Sequence, residues 1–200
     1  MGNLISIMGR KIIAKGLNKN ALPNREKVRE LVFSDYLPHL EKLPQLRLSS
    51  HPLLFYPGCG SDIILPLLYV EKMFFHIKEF SFLFIDINDL LQLIKTTLDE
   101  VGVSFSEDHN KIDFYWEDQL IHLEFQQGDV SKIELPKYDI YFEQFFRIMK
   151  PEGFEEVAYE RLKKNGILIS DNGFQNFPLE KHPASPELSP YGEMIIGIKK

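Results

Sequence analysis

Leu53-Leu54-Phe55-Tyr56-Pro57-Gly58-Cys59-Gly60-Ser61-Asp62 is the stretch on which the reading of this chain turns. Four apolar residues in a row read as a short strand. Pro57 to Asp62 then turn the chain, and the two glycines let a ligand approach the backbone closely. Ile63 to His76 reads as a helix or broken helix, with Pro66 tolerable near its first turn. Phe82-Leu83-Phe84-Ile85 comes next, apolar at every position, as expected for a parallel strand covered on both faces. Asp86 stands at its end.

Working outward, residues 24–37 look like a helix capped by Asn24, with Val28, Leu31 and Val32 as its apolar stripe. Pro38 and Pro44 loosen the segment after this helix, so residues 1–50 read as a helical extension packed on a main unit over 51–200. Beyond Asp86, Asn88 can cap a helix carrying Leu90, Leu91, Ile94, Leu98 and Val101, and Gly102 suits its end. Ile112–Trp116 and Leu120–Phe125 could form a hairpin. Tyr138–Phe142 is a further strand candidate. Pro151 begins a helix striped by Phe154, Val157, Ala158 and Leu162, and Asn165-Gly166 stops it. Gly166–Ser170 is a strand, the proline-rich residues 174–190 a long loop, and Met194–Ile198 a last strand. Such alternation implies one α/β fold, a doubly wound, mostly parallel sheet with helices on both faces and one antiparallel C-terminal strand.

The chain has 200 residues, little more than one domain's worth. Its 44% hydrophobic and 26% charged content is that of a globular protein. A formal charge of −6 argues mildly against a broad nucleic-acid footprint. One cysteine excludes an intrachain disulfide framework and a cysteine-cluster metal site, and agrees with a reducing compartment. The apolar run from Ile63 to Phe75 is too short and too interrupted to span a bilayer. Gly2 and Ser6 match a minimal myristoylation pattern, for which a frayed or docking terminus is the plainer reading. The expectation is a soluble, cytoplasmic protein.

Four features fall at expected strand ends, which line one rim of a doubly wound sheet: Gly58/Gly60, Asp86, Asp129 and Glu143-Gln144. A carboxylate closing the second strand is placed to accept two hydrogen bonds from a ribose diol. A capping or solvated role is the alternative for Asp86, and a turn-forming role after Gly128 is the alternative for Asp129. Asp86 comes 26 residues after Gly60, and Ile63 stands where a nicotinamide fingerprint has its third glycine. Asp62 puts a negative charge where a pyrophosphate would sit, so an ammonium or sulfonium ligand suits the loop better than a dinucleotide.

At these residues the chain resembles the class I S-adenosylmethionine-dependent methyltransferases, over about residues 50–172. The resemblance implies a Rossmann-like fold whose first loop, Tyr56-Pro57-Gly58-Cys59-Gly60-Ser61, wraps the methionine part of the cofactor S-adenosylmethionine. It implies that Asp86 holds the ribose hydroxyls and that Asp129 lies beside the adenine. The fourth strand and its exit would be Tyr138–Glu143, and the fifth Gly166–Ile169. The chain departs from the pattern where Tyr56 and Pro57 replace an acidic residue and where Asp62 replaces the third loop glycine. Asp62 is a candidate partner for the cofactor's amino group. The C-terminal part looks shortened.

Methyl transfer from a sulfonium mainly requires in-line positioning, with a general base only where the nucleophile must lose a proton. Glu143, directly after a central strand, is the leading candidate base, with Asp171 and His182 behind it. Cys59 reads as a small residue lining the pocket rather than a nucleophile. Phe145 and Phe146 could line a substrate pocket. His122 and Glu124 alternate on one strand face, as a ligand pair or, more plainly, facing solvent or each other. No histidines stand at metal-ligand spacing. The acceptor implied is a small molecule or a protein side chain. A methyltransferase-like fold without activity, serving as a binding or structural module, is the alternative, and a nicotinamide oxidoreductase a third.

Overall fold

The apolar run at Leu53 becomes the middle of a nine-stranded sheet. A computed structural model describes residues 12–200; Gly2 and Ser6 lie outside the described residues. Along the chain come α1 (Arg25–Glu30), α2 (Leu37–Leu40), β1 (Leu53–Pro57), α3 (Ile64–Met73), β2 (Glu79–Asp86), α4 (Leu91–Glu100), β3 (Phe105–Asp108), β4 (Lys111–Trp116) and β5 (Gln119–Gln127). The second half adds β6 (Tyr138–Glu143), α5 (Phe154–Arg161), β7 (Leu162–Ser170), β8 (Leu179–His182) and β9 (Ile195–Lys199).

The strands lie in the order β3-β4-β5-β2-β1-β6-β7-β9-β8. The five from β5 to β7 are parallel. β9 enters antiparallel between β7 and β8, and β4 and β3 form an antiparallel extension at the other edge. The chain builds outward from β1 to β2 and β5, then returns to β6 on the opposite side. That reversal puts a crevice beyond the carboxyl ends of β1 and β6. This is the expected doubly wound, mostly parallel sheet, with two antiparallel C-terminal strands in place of the one expected.

Two apolar layers sandwich the sheet. One packs α1, α3 and α4 against Leu54, Phe82, Phe84, Ile140 and Phe142. The other packs Phe154 and Ala158 of α5 against Phe55, Tyr138, Tyr141 and Leu168. β5 lies towards one edge of the sheet. There it alternates buried and half-buried residues, the pattern of a strand wet on one face. His122 lies on that face with Nδ1 2.8 Å from Asp113.

Several local expectations give way to longer-range pairing. The first helix ends at Glu30, although Asn24 caps it, its Oδ1 accepting from Glu26 N and Lys27 N. Asn88 does not cap α4; its N–H and side-chain amide both donate to Asp86 Oδ1, and Leu90 takes the cap position. The helix expected to run to Asn165 stops at Arg161, because Leu162 pairs with Tyr138 across β6 and β7. Lys163 leaves the helix end to bind Asp139 at 2.9 and 3.0 Å. Lys199 satisfies the α5 terminus instead, its Nζ donating to Tyr159 O and Leu162 O. The expected 174–190 loop contains β8, held by its ladder to β9. β3 is a further addition to the expected elements; it folds back on β4 through a turn with His109 left-handed.

Arg25 ties the N-terminal helix to the rest. Its guanidinium binds Glu71 of α3 at 2.9 Å and Glu117 after β4, and lies 5.6 Å from the Trp116 ring. Trp116 Nε1 donates to the same Glu71 carboxylate. Among the described residues no helix is long and apolar enough to cross a membrane, and no group of three or more His, Cys, Asp or Glu could hold a metal ion.

Candidate functional site

The turn after β1 leaves the sheet with two left-handed glycines. Gly58 and Gly60 both have φ +56°, a conformation glycine adopts without steric penalty. Gly58 N donates to Ile85 O at 2.8 Å. Gly60 N donates to Asp86 Oδ2 at 2.9 Å. The carboxylate that closes β2 therefore clasps the glycine loop with one oxygen and holds Asn88 with the other. Oδ2 keeps a second lone pair, while Oδ1 already takes two donors from Asn88.

Cavities open on both sides of this clasp. The larger, of about 430 Å³, is lined by Tyr56, Gly58, Cys59, Gly60, Ser61 and Asp62 from the loop, by Gln144 and Phe145 after β6, and by Leu31, Val32 and Phe33 after α1. The smaller, of about 190 Å³, is lined by Asp86 and Ile87 after β2, by Gly128, Asp129 and Val130 after β5, and by Phe146. Gly58 and Met149 line both. Thus the loop residues, Asp86 and Asp129 come together at one crevice. Pro57 ends β1 beneath it.

Asp62 sits at the entrance to α3. Its Oδ1 accepts from Leu65 N at 3.1 Å and its Oδ2 from the Tyr56 hydroxyl at 3.2 Å. Burial pushes its carboxyl up to about 6, against the pull of those hydrogen bonds. Burial, with Asp62 beside it, holds the Tyr56 phenol well above its usual range, so it remains a donor. Cys59 is buried in the loop, and burial with Asp86 and Asp62 nearby pushes its thiol up. Such a thiol is a poor nucleophile.

Asp129 lines the smaller cavity, yet its carboxylate is turned on its own loop. Oδ1 accepts from Ser131 Oγ at 2.6 Å and Ser131 N at 3.0 Å, and Oδ2 lies 2.9 Å from Lys132. Hydrogen bonds from Ser131, then Lys132, hold it down at about 2.

Glu143 stands elsewhere. It lines neither cavity and is sealed beneath the rim. Its Oε1 takes Lys150 Nζ at 2.5 Å, Ser170 Oγ at 3.0 Å and Asn172 Nδ2 at 3.1 Å, and its Oε2 takes the Tyr141 hydroxyl. Burial raises its carboxyl, with Lys150 opposing. With both oxygens engaged, no route leads from this carboxylate to a ligand in either cavity. Asp171 likewise accepts from Phe145 N at 2.7 Å and Asn172 Nδ2 at 3.2 Å. His182 lies on the edge strand β8, away from both cavities. Residues 174–190 and the β4–β5 hairpin contribute nothing to either lining. Leu31–Phe33 was hidden within an apolar helical stripe, and Ile87 stood after the acid as an ordinary exposed apolar residue.

No protein-family model matches the chain, and no curated protein matches it. Solved structures of like shape are distant. A SAM-dependent methyltransferase from Aquifex aeolicus is 14% identical over 86% of this chain and 95% of its own, with a TM-score of 0.45. One from Thiobacillus denitrificans, in complex with S-adenosyl-L-homocysteine, is 15% identical over 72% of this chain, with a TM-score of 0.39. Human N-acetylserotonin methyltransferase, in complex with SAM, is 18% identical over 74% of this chain and 38% of its own, with a TM-score of 0.41. The chain spans about half the length of the Thiobacillus protein, 47%. The likeness is one of fold.

Proposed function

We propose that the chain is a cytoplasmic S-adenosylmethionine-dependent methyltransferase acting on a small molecule or a protein side chain. The observation that carries this reading is the clasp of Gly60 N on Asp86, with one cavity on each side of it. A rod-shaped ligand with an amino-acid end and a nucleoside end would place one end in each cavity. Asp62, ionised near neutral pH, favours an ammonium at the loop end. Asp86 Oδ2 has a lone pair left for a ribose hydroxyl, and Ile87 and Val130 offer apolar walls to a base. The cofactor, when bound, supplies an electrophilic methyl on a sulfonium.

The chain's own work is orientation and the exclusion of water. The rim of the larger cavity is apolar, with Leu31, Phe33, Phe145 and Met149 around it. An acceptor with an apolar body fits that rim. Glu143 acts as a positioning group, anchoring Lys150 and with it the segment between β6 and α5. Titration calorimetry with S-adenosylmethionine and S-adenosylhomocysteine tests the reading. Micromolar binding of either supports it, and no heat at millimolar ligand sinks it.

One observation favours the second reading, a methyltransferase-like fold serving as a binding module. Phe146 packs directly on Gly58, the glycine both cavities share, and lines the smaller of them. Methyl transfer to a cell-extract component, lost in Gly58→Arg, decides for the enzyme.

A further inference from the structure

The two cavities touch the same glycine but do not merge. A Cβ built on Gly58 would lie 2.1 Å from Phe146 Cδ2 and 2.5 Å from Cε2, so the ring rests against the loop backbone itself. Its other side packs edge-on against Phe154 of α5, with centroids 5.8 Å apart. Ligand sites for drug-sized molecules occupy about 300–1,000 Å³. The smaller cavity, at about 190 Å³, falls below that range alone; joined to the larger it would fall within it.

The segment that carries the ring is held at both ends, and between them Arg147 lies 4.8 Å from the Tyr191 ring and Met149 N donates to Phe146 O at 2.9 Å. At one end Phe145 adopts φ +59°, an outlier for a bulky residue, fixed by its N–H donating to Asp171 Oδ2 at 2.7 Å. At the other, Lys150 is bound to Glu143 at 2.5 Å and Glu155 at 3.2 Å. Between them Ile148 is 90% and Met149 58% exposed. These apolar side chains stand on a short strap at the crevice, where Met149 lines both cavities.

We propose that Phe146 is a displaceable gate. A ligand that occupies both cavities at once drives the ring off Gly58 and moves the strap about its two anchors. A ligand confined to the larger cavity leaves the ring in place. The gate rests on the S-adenosylmethionine reading for the identity of the spanning ligand. Gating lowers apparent affinity by the fraction of protein in the open state. Removing the ring removes that factor for a spanning ligand.

The test is calorimetric titration of S-adenosylhomocysteine into the wild type, Phe146→Ala and Phe146→Leu. Phe146→Leu keeps an apolar filler against Phe154 should the alanine variant fold poorly. Affinity is expected to rise about tenfold in the alanine variant and by a smaller factor in the leucine variant. A structure of the wild-type complex is expected to show the ring away from Gly58. Wild-type binding with equal or weaker binding by both variants overturns the gate and leaves the cofactor reading standing. So does a complex in which the ring still touches Gly58. Absence of binding by all three proteins at millimolar ligand overturns both.

Discussion

Gly58 and Gly60 share one backbone angle but differ in surroundings, which separates two effects. A Cβ on Gly60 meets nothing within 4 Å, so Gly60→Ala carries only the left-handed penalty, about 1–2 kcal/mol. Gly58→Ala carries the same penalty and must also push the Phe146 ring, adding about 1–3 kcal/mol. Urea denaturation of the two variants should rank them in that order. Asp62 makes a second residue-scale prediction. Its folded-state value of about 6 lies above the ordinary 3.8. The folded protein therefore resists ionisation, and stability from this group is full below pH 4 and lost as pH rises through 6. The loss is about 3 kcal/mol. Asp62→Asn should flatten that part of the stability profile. Affinity for a ligand ammonium should run the opposite way, rising about tenfold per unit as pH climbs towards 6, with the slope absent in Asp62→Asn.

Elements here depend on single charged side chains arriving from afar. α5 is short and ends in a strand, so its last carbonyls need a donor, and Lys199 supplies one from β9. Lys199→Met should destabilise the fold by about 1–2 kcal/mol, read from the denaturant midpoint. The strap between β6 and α5 depends on Lys150. Lys150→Met would leave Glu143 buried without its cation, at about 3–5 kcal/mol near neutral pH. Burial already raises the Glu143 carboxyl, so protonation relieves the variant. Its deficit should shrink as pH falls, and thermal melts across pH 5 to 8 would show this. The boundary errors arise at the same scale. Phe154, Val157, Ala158 and Leu162 have helical spacing, yet Val157 is exposed and Leu162 belongs to β7. A periodic stripe settles neither whether each residue is buried nor whether a neighbouring strand claims it. β8 was missed because Leu179–His182 is four residues among prolines, and only its ladder to β9 makes it a strand.

For the molecule as a whole, the larger cavity is closed by two parts of the chain far apart in sequence. Leu31–Phe33 come after a helix that Arg25 pins to Glu71 and Glu117, while the rest of the lining comes from the sheet rim. Arg25→Ala should raise amide exchange across residues 25–40 while leaving β1, β2 and β6 protected. It should also weaken ligand binding at the loop. Equal loosening throughout would show that the anchor holds the fold together instead of the cavity wall.

The sequence by itself determined the order of every element but β3 and β8, the parallel centre of the sheet and the rim where Gly58, Gly60, Asp86 and Asp129 meet. These come from local signals: fully apolar strands need cover on both faces, and glycines with acids at strand ends mark turns. Tertiary structure alone decided that Glu143 is sealed under Lys150 and that Phe146 rests on Gly58. It also decided that Asn88 serves Asp86 instead of α4. Each outcome depends on desolvation or on contact between segments distant along the chain, Gly58 and Phe146 most of all. The pattern of neighbouring residues carries no record of either.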